Sequence, residues 1–133
     1  MANDLSVTLD TTENALDVDQ KNNANHVPQS PNQQTITWQL TGNAASGSFN
    51  PIDGTSNSGF AWDGVLPQTG IFGQATLSSN GNKITMTDNN TGPSTAGTWV
   101  YRLAATINGQ VYTTIATVRN PKAGTANPTI KNN

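Results

Sequence analysis

The chain contains no cysteine. That absence removes disulfides, thiolate zinc sites and cysteine nucleophiles together. Charge is scarce as well: charged residues make up 11% of the 133 positions, and the net charge is -2. The cations Lys21, Lys83, Arg102, Arg119, Lys122 and Lys131 are scattered. No basic stripe is present to release counterions from nucleic acid, so nucleic acid is not an expected partner. An anionic membrane surface is excluded on the same ground. Apolar runs are short, and none is long enough to cross a bilayer. The opening Met1-Ala2-Asn3-Asp4-Leu5 has neither a basic nor an apolar signal region. A cytoplasmic location is therefore the default expectation, and export by another route would leave no such trace.

Apolar residues are also few, at 33%, with Asn, Thr, Gly, Ser and Gln filling the difference. This composition favours turns and solvated strand faces and supplies few helix formers. The low net charge argues against wholesale disorder. The length suits one domain, residues 1–133, with a flexible loop at 20–34 and a loosely ordered tail at 120–133.

What is present is period-2 alternation. Leu5, Val7 and Leu9 alternate with polar residues, as do Leu16 and Val18, and Ile36, Trp38 and Leu40. Each set reads as a strand with one buried face. Pro28 and Pro31 break the polar stretch that follows Val18. Two Asn-Gly pairs suggest type I′ hairpins, because that turn needs positive φ at both central residues. With Asn80-Gly81 at the tip, Leu77 faces Ile84 and Ala75 faces Met86. With Asn108-Gly109 at the tip, Ala105 faces Tyr112, Leu103 faces Thr114, Tyr101 faces Ala116, and Trp99 faces Val118. A slip of one residue would mix the two faces, so turn chemistry and hydrophobic pattern agree on register. About seven to nine short strands, with turn signals every 8–12 residues or so, predict an all-β fold: an immunoglobulin-like antiparallel β-sandwich, with a small β-barrel as the alternative.

Catalytic motifs are missing. The single histidine, His26, lies in the Pro-flanked segment without an orienting partner, and no Gly-x-Ser-x-Gly elbow is present. Asp17 and Asp19 open like a calcium loop, but Lys21 stands at a ligand position and no closing glutamate follows, so no metal or cofactor is expected. Asp53 and Asp63 are the only carboxylate pair near an aromatic, which leaves a weak hydrolase as a third reading. The segment Phe60-Ala61-Trp62-Asp63-Gly64 combines ring faces with a carboxylate. Phe60, Trp62 and Asp63 are thus candidate carbohydrate ligands, against a reading of Phe60 and Trp62 as core. The outward face of the second hairpin carries Val100, Arg102, Val111 and Ile115 among threonines, a candidate interaction face for a second copy or another protein. Asn89-Asn90-Thr91 matches a glycosylation acceptor with no secretory context.

Leu5-Ser6-Val7-Thr8-Leu9, Ile36-Thr37-Trp38-Gln39-Leu40, Gly97-Thr98-Trp99-Val100-Tyr101 and Asn127-Pro128-Thr129-Ile130-Lys131-Asn132 together resemble the DP-EP family of small bacterial immunoglobulin-like proteins of uncharacterised function. A looser likeness is to the AidA/PixA inclusion-body group. The chain departs from the pattern at Asn127, where the family's Asp-Pro puts aspartate, and no Glu-Pro follows. The resemblance implies a sandwich fold and supplies no catalytic residues. The expected function is that of a non-enzymatic bacterial β-sandwich domain acting by protein interaction or self-association, with carbohydrate binding as the alternative.

Overall fold

The computed structural model describes residues 3–114 and 128–133. The chain folds as an all-β sandwich of two sheets, neither closed on itself. The strands in chain order are β1 (Asn3–Asp10), β2 (Ala15–Val18), β3 (His26–Val27), β4 (Gln34–Leu40), β5 (Ser48–Phe49), β6 (Phe60–Asp63), β7 (Thr76–Leu77), β8 (Lys83–Asp88), β9 (Gly97–Ile107), β10 (Gln110–Thr113) and β11 (Thr129–Asn132). Short 3-10 turns at Lys21–Asn23, Gly42–Ala44 and Pro93–Thr95 link some of them. The described residues hold more strands than expected because β3 and β5 are pairings of two residues each. Such pairings are too short to show a period in sequence.

One sheet runs β2-β1-β4-β8-β7. The other is organised around β9. One side of β9 bonds β5 and β6, and its other side bonds β10 and β11. Backbone alternation explains how one strand serves four. The Tyr101 N–H donates to Pro128 O and the Leu103 carbonyl accepts from Thr114 N–H, while the Ala104 N–H turns the opposite way to Gly59 O. The sheets are mixed rather than purely antiparallel, since β1 pairs β4 and β11 pairs β3 in parallel.

The hairpin at Asn108-Gly109 has the expected geometry. Both residues have positive φ, 52° and 78°, and Tyr112 lies opposite Ala105. Its expected continuation is described as far as Thr114, whose N–H donates to Leu103 O. The place beside Trp99 that the pattern assigned to Val118 is taken by Ile130, and Thr129 sits beside Val100. Ala116 and Val118 lie outside the described residues. The tail residues 129–132 are thus an interior strand between β9 and β3 rather than an edge. At Asn80-Gly81 the register Leu77↔Ile84 holds, but only Gly81 has positive φ. The tip is shaped from outside: the Phe49 N–H donates to Gly81 O at 2.7 Å, and a Cβ on Gly81 would meet the Ser48 Cβ at 2.8 Å. The segment 20–34 contains β3, where Val27 is fully buried.

The core lies between the sheets: Leu5, Val7, Ile36, Trp38, Leu40, Ile84, Tyr101, Leu103, Ile107 and Ile130 are each 2% exposed or less. At its centre the Trp38 Nε1–H of β4 donates to the Tyr101 hydroxyl of β9 at 2.8 Å. Burial raises the Tyr101 hydroxyl pKa far above the usual phenol range, so it stays protonated. Replacing Trp38 by Ala removes a fully buried ring and is expected to cost about 3–5 kcal/mol, much of a typical domain's stability. Trp38→Phe keeps a ring but strands the Tyr101 hydroxyl, at about 1–3 kcal/mol for the orphaned group. Chemical denaturation of Trp38→Phe, Tyr101→Phe and the double variant checks this: the double variant is expected to lose less than the two single losses combined.

Candidate binding surface

The chain has three Trp, three Phe and two Tyr, and six of these eight rings form one continuous ladder. It starts in the core with Trp38, Tyr101 and Phe60, whose centroids lie 5.2–5.5 Å apart. Phe60 meets Trp62 edge-on at 5.1 Å, Trp62 meets Phe72 at 4.9 Å, and Phe72 meets Trp99 edge-on at 5.3 Å. Phe60 is 6% exposed, whereas Trp62, Phe72 and Trp99 are half-buried. The ladder therefore leads from the middle of the sandwich to its surface.

Local structure places each outer ring. Antiparallel pairing sets Phe60 opposite Leu103 and Trp62 opposite Tyr101, so both rings share the inward face of β6. Trp62 is the more exposed of the two. Trp99 is two residues before Tyr101 on β9 and shares that strand's inward side. Its ring folds back along its own strand: a Cβ on Gly97 would meet Trp99 ring carbons at 2.9 Å. A glycine is needed there for the ring to lie flat. Phe72 is brought in by the loop that follows β6, through an isolated bridge to Asp88.

That loop, residues 64–70, leaves the sheet just after Trp62 and returns just before Phe72. Its two feet are therefore Trp62 and Phe72, whose rings touch at a tilt of 47°. Gly64 and Gly70 turn it, with φ of 86° and 100°. Between them Val65 and Leu66 stand in water, 81% and 69% exposed. Only one other large apolar side chain among the described residues is exposed, Val111 at 45%.

The residues singled out in sequence are distributed differently. Phe60 belongs to the core. Trp62 is half-buried on the ladder. Asp63 follows Trp62 on an extended strand, so the carboxylate and the ring point to opposite faces. The three do not converge on one ligand. On the hairpin face, Val111 is exposed and Val100 and Arg102 are half-buried, but Ala104 between them is 1% exposed. That face is covered in its middle rather than open along its length. Ile115 lies outside the described residues. Two features escaped the sequence reading. Phe72 stands with Ile71 between Gly70 and Gly73 with no alternation to mark it, and Val65-Leu66 is a two-residue apolar pair between Gly64 and Pro67 with no period of its own.

The acidic residues have structural partners. Asp53 Oδ1 accepts from the Thr55 hydroxyl at 2.7 Å and the Thr55 N–H at 3.1 Å. These bonds hold its carboxyl below the usual range, where it is a poor proton donor. Asp19 Oδ1 accepts from the Lys21 N–H. Asp17 has its carboxyl raised by burial and by the charges of Asp10 and Asp19. No group of His, Cys, Asp or Glu that could hold a metal occurs among the described residues. The Asn89 side chain is engaged by Gly70 O and by Gln33. No described helix is long and apolar enough to cross a membrane. Comparison with protein-family models, curated proteins and solved structures finds no match to this chain.

Phe72 is the ring that couples Trp62 to Trp99. Phe72→Ala is expected to cost less than the roughly 3–5 kcal/mol of a fully buried ring, because this one is half in water. It is also expected to reduce the near-ultraviolet circular dichroism, which reads the fixed packing of Trp62 and Trp99. Gly97→Ala should weaken the same signal by displacing the Trp99 ring. An unchanged spectrum in both variants would count against the ladder.

Proposed function

We propose that this chain is a non-enzymatic binding module that acts by protein interaction, through the tip of loop 64–70 and the aromatic residues at its base. The carrying observation is the pair of adjacent aliphatic side chains, Val65 and Leu66, 81% and 69% exposed on a loop anchored by two rings in tilted contact. Protein interfaces draw their affinity from apolar and aromatic anchors that enter a partner's pocket, set beside rigid neighbours. Here the anchors project and the rigid support is the ladder, so little side-chain ordering remains to oppose association.

Carbohydrate binding at Trp62 is the second reading, favoured by its half-exposed ring. Sugar stacking calls for flat ring faces with hydroxyl ligands beside them. The ladder instead meets edge-to-face at two of its three outer contacts, and Asp63 points away. Exposed Val65 and Leu66 also add nothing to binding a polyol. Protein interaction is therefore the reading the geometry favours.

Val65→Asp with Leu66→Asp is expected to leave the folding free energy within about 0.5 kcal/mol, since both side chains are already in water. It is also expected to abolish the interaction. Sedimentation velocity over a range of concentrations reads self-association as a rising mass that the double variant loses. Immobilised chain reads a different protein partner as binding lost in the same variant. A tryptophan fluorescence change on adding simple glycans, preserved in the double variant, would favour the sugar reading. A strict monomer whose protein binding is unchanged by both substitutions would overturn the proposal.

A further inference from the structure

Beside the outer end of the ladder, polar side chains are buried where the two sheets meet. Asp88 closes β8 and is fully buried, and Asn132 near the end of β11 is 2% exposed. Asn90, also fully buried, is completely paired. Its Nδ2 donates to Val27 O and Asn133 O, and its Oδ1 accepts from the Thr95 hydroxyl. Asp88 and Asn132 are not. Asn132 Nδ2 donates to Asp88 Oδ1 at 3.0 Å and to Thr95 O at 3.0 Å. Both recipients are acceptors, which identifies the amide nitrogen and leaves Oδ1 as the other arm. Asp88 Oδ2 and Asn132 Oδ1 are both buried and accept nothing. These two orphans belong to forks already joined along one arm.

The described residues that pair with or bridge Asp88 bring no charge to it. Gln34 lies opposite on β4 and gives its amide to Pro28 O instead. Phe72 bridges it from the loop side, and β11 supplies Asn132. Lys131 is exposed and sits in register with Thr98 and His26. With Asp88 ionised, both orphans are acceptors with no donor to satisfy them, and one proton on the carboxyl would supply a donor for the Asn132 oxygen.

We propose that Asp88 is held as a neutral carboxylic acid whose Oδ2–H donates to Asn132 Oδ1, closing a cyclic acid–amide pair that latches β11 to β8 across the sandwich and slackens when the proton leaves. Burial pushes the Asp88 carboxyl up to about 6 from an ordinary 3.8, despite the opposing effect of the Asn132 bond. The folded chain therefore keeps a proton between about 4 and about 6 that the unfolded chain releases. The contribution of Asp88 to stability is greatest below that window, falls as pH rises through it, and is level above it. Asp17, also raised, adds to the slope of the whole chain but not to β11.

The test is a carbon-13 titration of the Asp88 carboxyl in the full chain, with hydrogen exchange of the Ile130 and Lys131 amides read against those of β4. The expected midpoint lies about two pH units above an ordinary aspartate. Protection of β11 relative to β4 is expected to fall by up to about tenfold from pH 5 to pH 7.5. Asp88→Asn places an amide nitrogen where the acid proton sits, so it should keep β11 protected and make that ratio independent of pH. A midpoint in the ordinary carboxylate range overturns the proposal, as does an Asp88→Asn chain with the wild-type pH dependence. The wild-type titration decides the matter alone if the variant does not fold.

Discussion

The hydrogen bond between Trp38 and Tyr101 is the constraint on which the arrangement of the two sheets rests. Its donor sits on β4, which bonds β1 and β8, and its acceptor sits on β9, which bonds four other strands. Hydrophobic burial holds two sheets together but does not fix their relative position, because apolar contact is non-directional. A buried indole N–H and a buried phenol do fix it. Neither polar atom has access to water, and sliding one sheet past the other would leave both unpaired. Phe60 stacks nearly parallel on Tyr101, with 14° between the rings, and so carries this fixed geometry outward through Trp62.

How much of this is legible in sequence depends on the range of the interaction. The Asn108-Gly109 turn is local, and its demand for positive φ is written in two adjacent residues. Its register and Trp38's burial follow from alternation alone. The replacement of the expected hairpin continuation by β11 is not local. Thr129-Ile130-Lys131 has one apolar residue, too few to distinguish an interior strand from an edge, and only the pairing of Ile130 with Trp99 settles it. β3 is hidden for the same reason: two residues between prolines and asparagines carry no period. Asn80-Gly81 shows the converse, a turn signal whose outcome is set by contact with β5.

The polar junction was illegible for a different reason. Alternation correctly puts Asp88 on the same face as Ile84 and Met86, and the burial string of β8 follows that period to its end. Yet an aspartate at a strand terminus reads as solvated by default. Its burial follows from Asn132 and Thr95 closing over it. This is a three-way meeting of segments far apart in the chain, which residue spacing does not encode. The candidate surface was half legible. Trp62 stood out by type, but its partner Phe72 did not.

The exposure of Val65 and Leu66 matters because this chain has so little apolar surface to spend. Apolar residues are 33% of it, and the core draws on nearly every strand, down to single residues such as Val27 and Ile130. In a chain rich in aliphatic side chains, an exposed leucine is unremarked, since folded surfaces carry much apolar area. Here the loop bearing the pair is turned by two glycines with open space at the Cβ positions of both, so no packing obligation forces the pair outward. Folding alone would be better served by polar residues at both positions. Under the proposed binding role, the interaction that offsets their exposure lies outside the fold, at a surface backed by the same rings that begin at Trp38.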